Sequence, residues 1–199
     1  MSVEWLWAVS VFATAMTFTP GPNNVMLTTS GANFGYRRSI PHMLGITIGF
    51  PTMIAAVGLG LAGVFQNFPW LHEVLKYAGA AYLLWLAWHI ARSGRAENAT
   101  GRARPLSFFE AAAFQWVNGK AWIAAIGALS AFTTVSGQIL FQVMAIALVF
   151  GLVSYPSCSI WTAFGVAIGR LLSSDRALRT FNVSMAALLV LSIVPVFWA

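Results

Sequence analysis

The sequence predicts an all-α integral membrane protein: six transmembrane helices in two inverted three-helix halves, with helices 1 and 4 broken near mid-membrane. Three observations lead there. Of 199 residues, 59% are hydrophobic and only 8% charged, with a mean hydropathy of +0.76, whereas a soluble domain carries roughly 25% charged residues. So few charges cannot cover a surface that faces water. Apolar runs long enough for a crossing, about 20 residues each, recur six times along the chain, and the basic residues gather in alternate loops.

The six runs are 4–27, 41–65, 71–91, 108–133, 138–168 and 177–197. A polar connector, RSGRAENATGRARP at 92–105, joins halves of about 1–91 and 106–199 within one membrane domain. Arg37 and Arg38 follow the first run, Arg92, Arg95, Arg102 and Arg104 the third, and Arg170, Arg176 and Arg179 the fifth. The other two loops, QNFPWLHE and TTVSGQ, hold no Lys or Arg. The positive-inside rule then puts the three basic loops in the cytoplasm and both termini outside. Trp5, Trp7, Trp70 and Trp198 fall near the outer interface, where amphipathic rings settle.

The same distribution disposes of other readings. A net charge of +6 in short interhelical clusters marks topology, not a nucleic-acid surface. The opening MSVEW has no basic n-region, so the first run is expected to stay as a membrane segment. The single cysteine, Cys158, excludes an internal disulfide framework or a cysteine-rich metal site, and its expected role is packing. The NAT triplet at Asn98 lies in a cytoplasmic loop and is a chance match to a glycosylation sequon. No paired-aspartate, HExxH or GxSxG pattern occurs, so no enzyme, catalytic residue, metal or cofactor is expected.

Two polar interruptions lie past the middle of apolar runs. The first is TPGPNN at 19–24 and the fourth run carries QWVNGKAW at 115–122, each with a glycine at its centre. Proline removes a backbone donor and ends a helix, yet suits the first position of a new one. Each downstream half-helix would then begin with unpaired N–H groups and a partial positive charge, and two such ends meeting would suit a carboxylate. Inverted halves would bring them together. Lys120 is the only basic residue well inside a run, where a charge costs about 2.5–3.5 kcal/mol on insertion scales. Its bland alternatives are snorkelling or pairing with Glu110. Asn23, Asn24, Gln115 and Asn118 either line a site or tie off backbone groups freed at the breaks. The candidate substrate-binding residues are Pro20, Gly21, Pro22, Asn23, Asn24, Gln115, Asn118, Gly119, Lys120 and Tyr155. Tyr155 joins them from SYPSCS around Pro156, where the other reading is a plain kink.

These residues resemble the LysE/RhtB family of amino-acid exporters. The resemblance rests on TPGPNN, on GANFGYRRSIPHMLGITIG at 31–49, on LKYAGAAYLLWLAWHIARS at 75–93, and on Asn118-Gly119-Lys120, where the family usually has Asn-Pro-Lys. It covers nearly the whole chain and is strongest to the cysteine/O-acetylserine exporter branch, which likewise departs from proline. The resemblance implies export of small amino acids or derivatives across a bacterial inner membrane, driven by proton antiport. The chain has no acid deep in any run, which fits a neutral amino acid better than lysine or arginine. The substrate's amino group must then find freed carbonyls or Asn and Tyr side chains. His42, His72 and His89 are expected at interfaces, with no coupling role. Gly45-x-x-x-Gly49 and Gly165-x-x-x-Gly169 allow close helix approach; helices two and five crossing there is the expectation, and a homodimer contact the alternative. Membrane lipid is the remaining partner. A channel or a non-transporting scaffold is the rival function.

Overall fold

The structure is a computed structural model describing residues 2–61, 67, 69–93, 104–134, 139–172 and 174–194. Asn98, Arg95, Arg102 and Trp198, each singled out above, lie outside the described residues. Eight α-helices and no strand occur among the described residues: α1 Val3–Phe18, α2 Pro22–Phe34, α3 Tyr36–Ala56, α4 Pro69–Ala91, α5 Phe108–Phe114, α6 Gly119–Phe132, α7 Ile139–Leu171 and α8 Asp175–Leu191. By length and composition, Tyr36–Gly60 and Ile139–Leu171 are each apolar enough to cross a membrane.

Local chemistry sets the boundaries. Ser2 caps α1 by accepting from the Trp5 amide. Pro20 forces its predecessor out of the helical region, so Thr19 is extended and α1 stops. Pro22 then opens α2 at the position where its missing N–H is harmless. Gly35, at φ 79°, separates α2 from α3 in a conformation that favours glycine. The second helix therefore starts at Tyr36, five residues before the expected run. Ser107 and Glu110 form a reciprocal capping box at the start of α5.

Both predicted breaks occur. At the second, α5 gives way to a 3-10 turn, Gln115–Val117, and an extended Asn118 before α6. Glycine in place of proline still ends the helix. One expectation needs correction: this break does not lie past the middle of its run. It follows the seven residues of α5 and one 3-10 turn, with 14 residues of α6 still to come.

α7 is the mast of the fold, packed against α1, α2 and α3, while α4 pairs with α8 and α3 with α5. The close approaches run through glycine, but not between the helices anticipated. A Cβ on Gly165 would stand 2.0 Å from the Thr28 carbonyl oxygen, and one on Gly31 2.1 Å from that of Thr162, so α7 meets α2. A Cβ on Gly45 would stand 2.4 Å from the Phe108 oxygen, and one on Gly49 2.6 Å from Ala112 Cα, so α3 meets α5. Both small-residue motifs make close approaches inside the chain, and these are not to each other's helix.

Two apolar cores result. One joins Val9, Phe50, Met53, Ala125, Ile146 and Phe150; the other joins Leu27, Met43, Leu86, Phe114 and Leu189. The outer faces stay apolar, with Trp7, Phe109, Leu148 and Leu152 exposed. Such a surface suits lipid and would be an aggregation hazard in water.

Candidate functional site

The two breaks meet. The Lys120 ammonium, in the first turn of α6, donates to the carbonyl of Thr19 and, at 3.3 Å, to that of Pro20. A Cβ on Gly21 would lie 2.6 Å from Lys120 Cδ. Asn23 and Gln115 exchange amide hydrogen bonds across the breaks, Asn23 Nδ2 to Gln115 Oε1 at 2.9 Å and Gln115 Nε2 to Asn23 Oδ1 at 3.2 Å. At the other end of these helices the Trp5 indole donates to the Phe132 carbonyl at 3.0 Å. The end of α1 thus meets the start of α6, and the start of α1 meets the end of α6. The two run antiparallel.

Backbone repair and site lining coexist. Asn24 Nδ2 donates to the carbonyls of Thr17 and Thr19, both at 2.9 Å, tying off the end of α1. Ser157 on α7 donates to the same Thr17 oxygen at 2.9 Å. The indole of Trp122 donates to the Trp116 carbonyl at 2.8 Å, bridging the second break. Lys120 does not pair with Glu110. Glu110 instead accepts from both terminal nitrogens of Arg104, at 2.8 and 3.2 Å, and from the Ser107 amide. That hydrogen-bonded carboxylate raises the Arg104 pKa above its ordinary value.

Between the breaks and the middle of α7 lies a cavity of about 40 Å³. Gly21, Asn23, Asn24, Asn118 and Lys120 line it from the breaks, and Ser154, Ser157 and Cys158 from α7. Its remaining walls, including Ile46, Phe50 and Ala124, come from both apolar cores, so it sits at their junction. Space on that scale holds a few waters. Of the ten predicted residues, the structure brings nine to the two breaks. Pro20, Pro22, Gln115 and Gly119 shape the breaks without lining the cavity. Tyr155 lies apart. It is 40% exposed, because Ser154, Ser157 and Cys158 form an i, i+3, i+4 stripe that turns position 155 away.

Sequence reasoning missed several polar residues. His42 is buried inside the protein: it is 1% exposed, with Nδ1 3.1 Å from the Ser30 hydroxyl. It borders a second cavity of about 30 Å³ with Thr29, Ser30, His89, Ser93 and Arg104. Asn33 and Asn182 exchange amide bonds at 2.8 and 2.9 Å, and Asn182 also donates to the Ser93 carbonyl, tying α2, α4 and α8 together. The signal was present as polar letters inside apolar runs, TTS at 28–30 and Asn182 in α8. Nothing in the sequence says which of them turn inward. Among the described residues no group of three or more His, Cys, Asp or Glu side chains is arranged to hold a metal.

With this geometry in place, the comparisons with known proteins are decisive. The family model for LysE-type translocators matches residues 14–194. The chain belongs to the LysE-type translocator family. Like the rest of this LysE-type family it is a transporter, not an enzyme. Among its relatives are proteins called cysteine/O-acetylserine efflux protein from Escherichia coli strain K12 and Shigella sonnei strain Ss046. Both are 32% identical over 199 residues, which is all of this chain and 97% of theirs. A third, from Escherichia coli O6:K15:H31, is 31% identical over the same span. No solved structure matches this LysE-type chain.

Proposed function

We propose that this chain exports small neutral amino acids or their derivatives, of the cysteine/O-acetylserine or homoserine/threonine type, from the cytoplasm by proton antiport. It does so in a bacterial inner membrane, through six crossings in two inverted halves with both termini outside. The substrate carboxylate sits at the first turns of α2 and α6, beside Lys120.

The observation that carries this reading is the meeting of the two helix breaks around one ammonium group. The leading amides of α2 and α6 lack acceptors one turn back, although that of Ala121 donates to the Asn118 carbonyl at 2.9 Å, and both helix dipoles favour an anion there. An ammonium has three donors; the Thr19 and Pro20 carbonyls take two, leaving one for a carboxylate. The position supports transport as well, since the cavity faces the middle of α7 between two apolar cores. The cavity is too small for an amino acid as it stands, which fits a closed state that must open to load. Likeness to the efflux proteins supports the substrate class and the direction.

The test is efflux from preloaded vesicles carrying the pure protein, with and without a proton gradient. The panel is cysteine, O-acetylserine, homoserine, threonine, leucine and arginine, with Lys120→Ala as control. Gradient-dependent efflux of neutral substrates, abolished in the variant, is expected. Efflux that survives Lys120→Ala would remove the carboxylate seat, and gradient-independent flux would mean a channel.

A further inference from the structure

A zwitterionic substrate brings an ammonium as well as a carboxylate, and the proposed seat accounts only for the carboxylate. No acidic side chain lines the cavity. Three of the carbonyls at the first break already have donors: that of Thr17 from Asn24 and Ser157, that of Thr19 from Lys120 and Asn24, and that of Pro20 from Lys120. Tyr155 faces away. Much of the acceptor capacity expected from the sequence is therefore engaged or turned away.

Two oxygens remain. Asn118 Oδ1 and Ser154 Oγ are fully buried within residues that are each 2% exposed, both residues line the cavity, and neither atom has a hydrogen-bond partner among the described residues. Buried polar atoms in native proteins are nearly always paired, so each exception calls for a ligand, a water or a reason. Ser154 is also out of step with its neighbours. A helical serine or threonine ordinarily bonds back to the carbonyl four residues earlier, as Thr162 does to Cys158 at 2.8 Å, while Ser157 bonds Thr17. Ser154 does neither. An amide oxygen can only accept, and a hydroxyl can accept as well as donate, so the pair can receive a ligand rich in N–H donors.

We infer that Asn118 and Ser154 together receive the α-ammonium of the substrate. This assignment rests on the carboxylate seat proposed above and adds the group that makes the site one for amino acids rather than for carboxylic acids in general. Lys120 and the helix ends hold one end of the zwitterion, and the two oxygens hold the other, one Cα away. A site built to satisfy donors rejects an analogue that lacks them, because its own polar groups are then left unpaired.

Calorimetric titration of the purified chain tests this, with L-cysteine, O-acetylserine and 3-mercaptopropionate, which is cysteine without its amino group. The wild type should bind cysteine on the order of 10-fold or more tightly than its deamino counterpart, as hydrogen bonds to a charged group require. Ser154→Ala and Asn118→Ala should each weaken cysteine about 10-fold and leave 3-mercaptopropionate unchanged, so that the ratio shrinks. Ser154→Thr, which keeps the hydroxyl, should retain it. Equal affinity for both ligands in the wild type, or variants that weaken both equally, would overturn the assignment and leave the carboxylate seat standing. A wild type that binds no amino acid would sink the transport reading, and this assignment with it.

Discussion

Lys120 donates to the carbonyl of Thr19 across 101 positions of sequence, joining the first turn of α6 to the end of α1. The cation closes a helix C-terminus whose last carbonyls have no intrahelical donor, and it stands beside two helix N-termini that favour anions. One side chain therefore holds the breaks together and charges the space between them.

These two roles separate on substitution. Lys120→Met removes the insertion cost of the charge, about 2.5–3.5 kcal/mol. It also strips charge-assisted bonds from two carbonyls, at about 1.5–3 kcal/mol each. The effects largely offset. The melting temperature in detergent should fall by only a few degrees, while efflux falls at least about 10-fold, as loss of a charged contact predicts. A variant that unfolds yet retains transport per folded molecule would mean that Lys120 is a structural clasp alone.

Gly21 gives a milder route to the same end. Its backbone is extended, at φ −175°, so alanine brings no backbone strain. An added Cβ would meet Lys120 Cδ at 2.6 Å and Nζ at 3.1 Å, atoms of a flexible side chain that can move aside. Gly21→Ala should therefore cost less than about 1 kcal/mol in stability but displace the ammonium and lower efflux. Unchanged efflux in matched vesicles would show that the position of Lys120 is immaterial to transport.

Much of this was legible from residues whose chemistry is local. Composition dictated a membrane solvent, Pro20 and Pro22 dictated a break, and Asn118-Gly119 marked the second one. The faces of the helices were not legible. In water an amphipathic helix announces its buried side, but in lipid both sides are apolar, so α7 hides which of its residues turn inward. That is why Tyr155 was expected at the cavity and Ser154 was not. For the same reason the glycines of α3 and α7 could not name their partners, and the burial of His42 was not foreseen. Small size marks a close approach without saying to what.

The glycines now separate by their neighbours. Gly165→Ala would drive a Cβ to within 2.0 Å of the Thr28 carbonyl oxygen, which belongs to the backbone of α2 and cannot yield. Overpacking of this kind typically costs about 1–3 kcal/mol. Gly127→Ala on α6 meets only the tip of Phe12 at 3.4 Å, an ordinary contact, and alanine relieves about 0.5–1 kcal/mol of glycine's helix penalty. Thermal unfolding should rank the variants with Gly165→Ala well below wild type and Gly127→Ala at or above it. The reverse order would remove the α2–α7 contact as a determinant of stability.

The reciprocal amides of Asn23 and Gln115 predict a measurable coupling between the breaks. Gln115 is fully buried and also donates to the Ala111 carbonyl at 2.8 Å, while Asn23 is half-buried against the cavity. Asn23→Ala leaves Gln115 Oε1 buried without its donor, at about 1–3 kcal/mol. Gln115→Ala leaves an Asn23 amide that cavity water can solvate, so its loss comes mostly from the vacated volume. Once Gln115 is gone, removing Asn23 should cost little more. A double-mutant cycle on thermal stability should thus give a coupling of about 1 kcal/mol, within the range for residues in contact. Independent, additive losses would mean that the amides do not clamp α2 to the end of α5, and the two breaks would then be held by Lys120 alone.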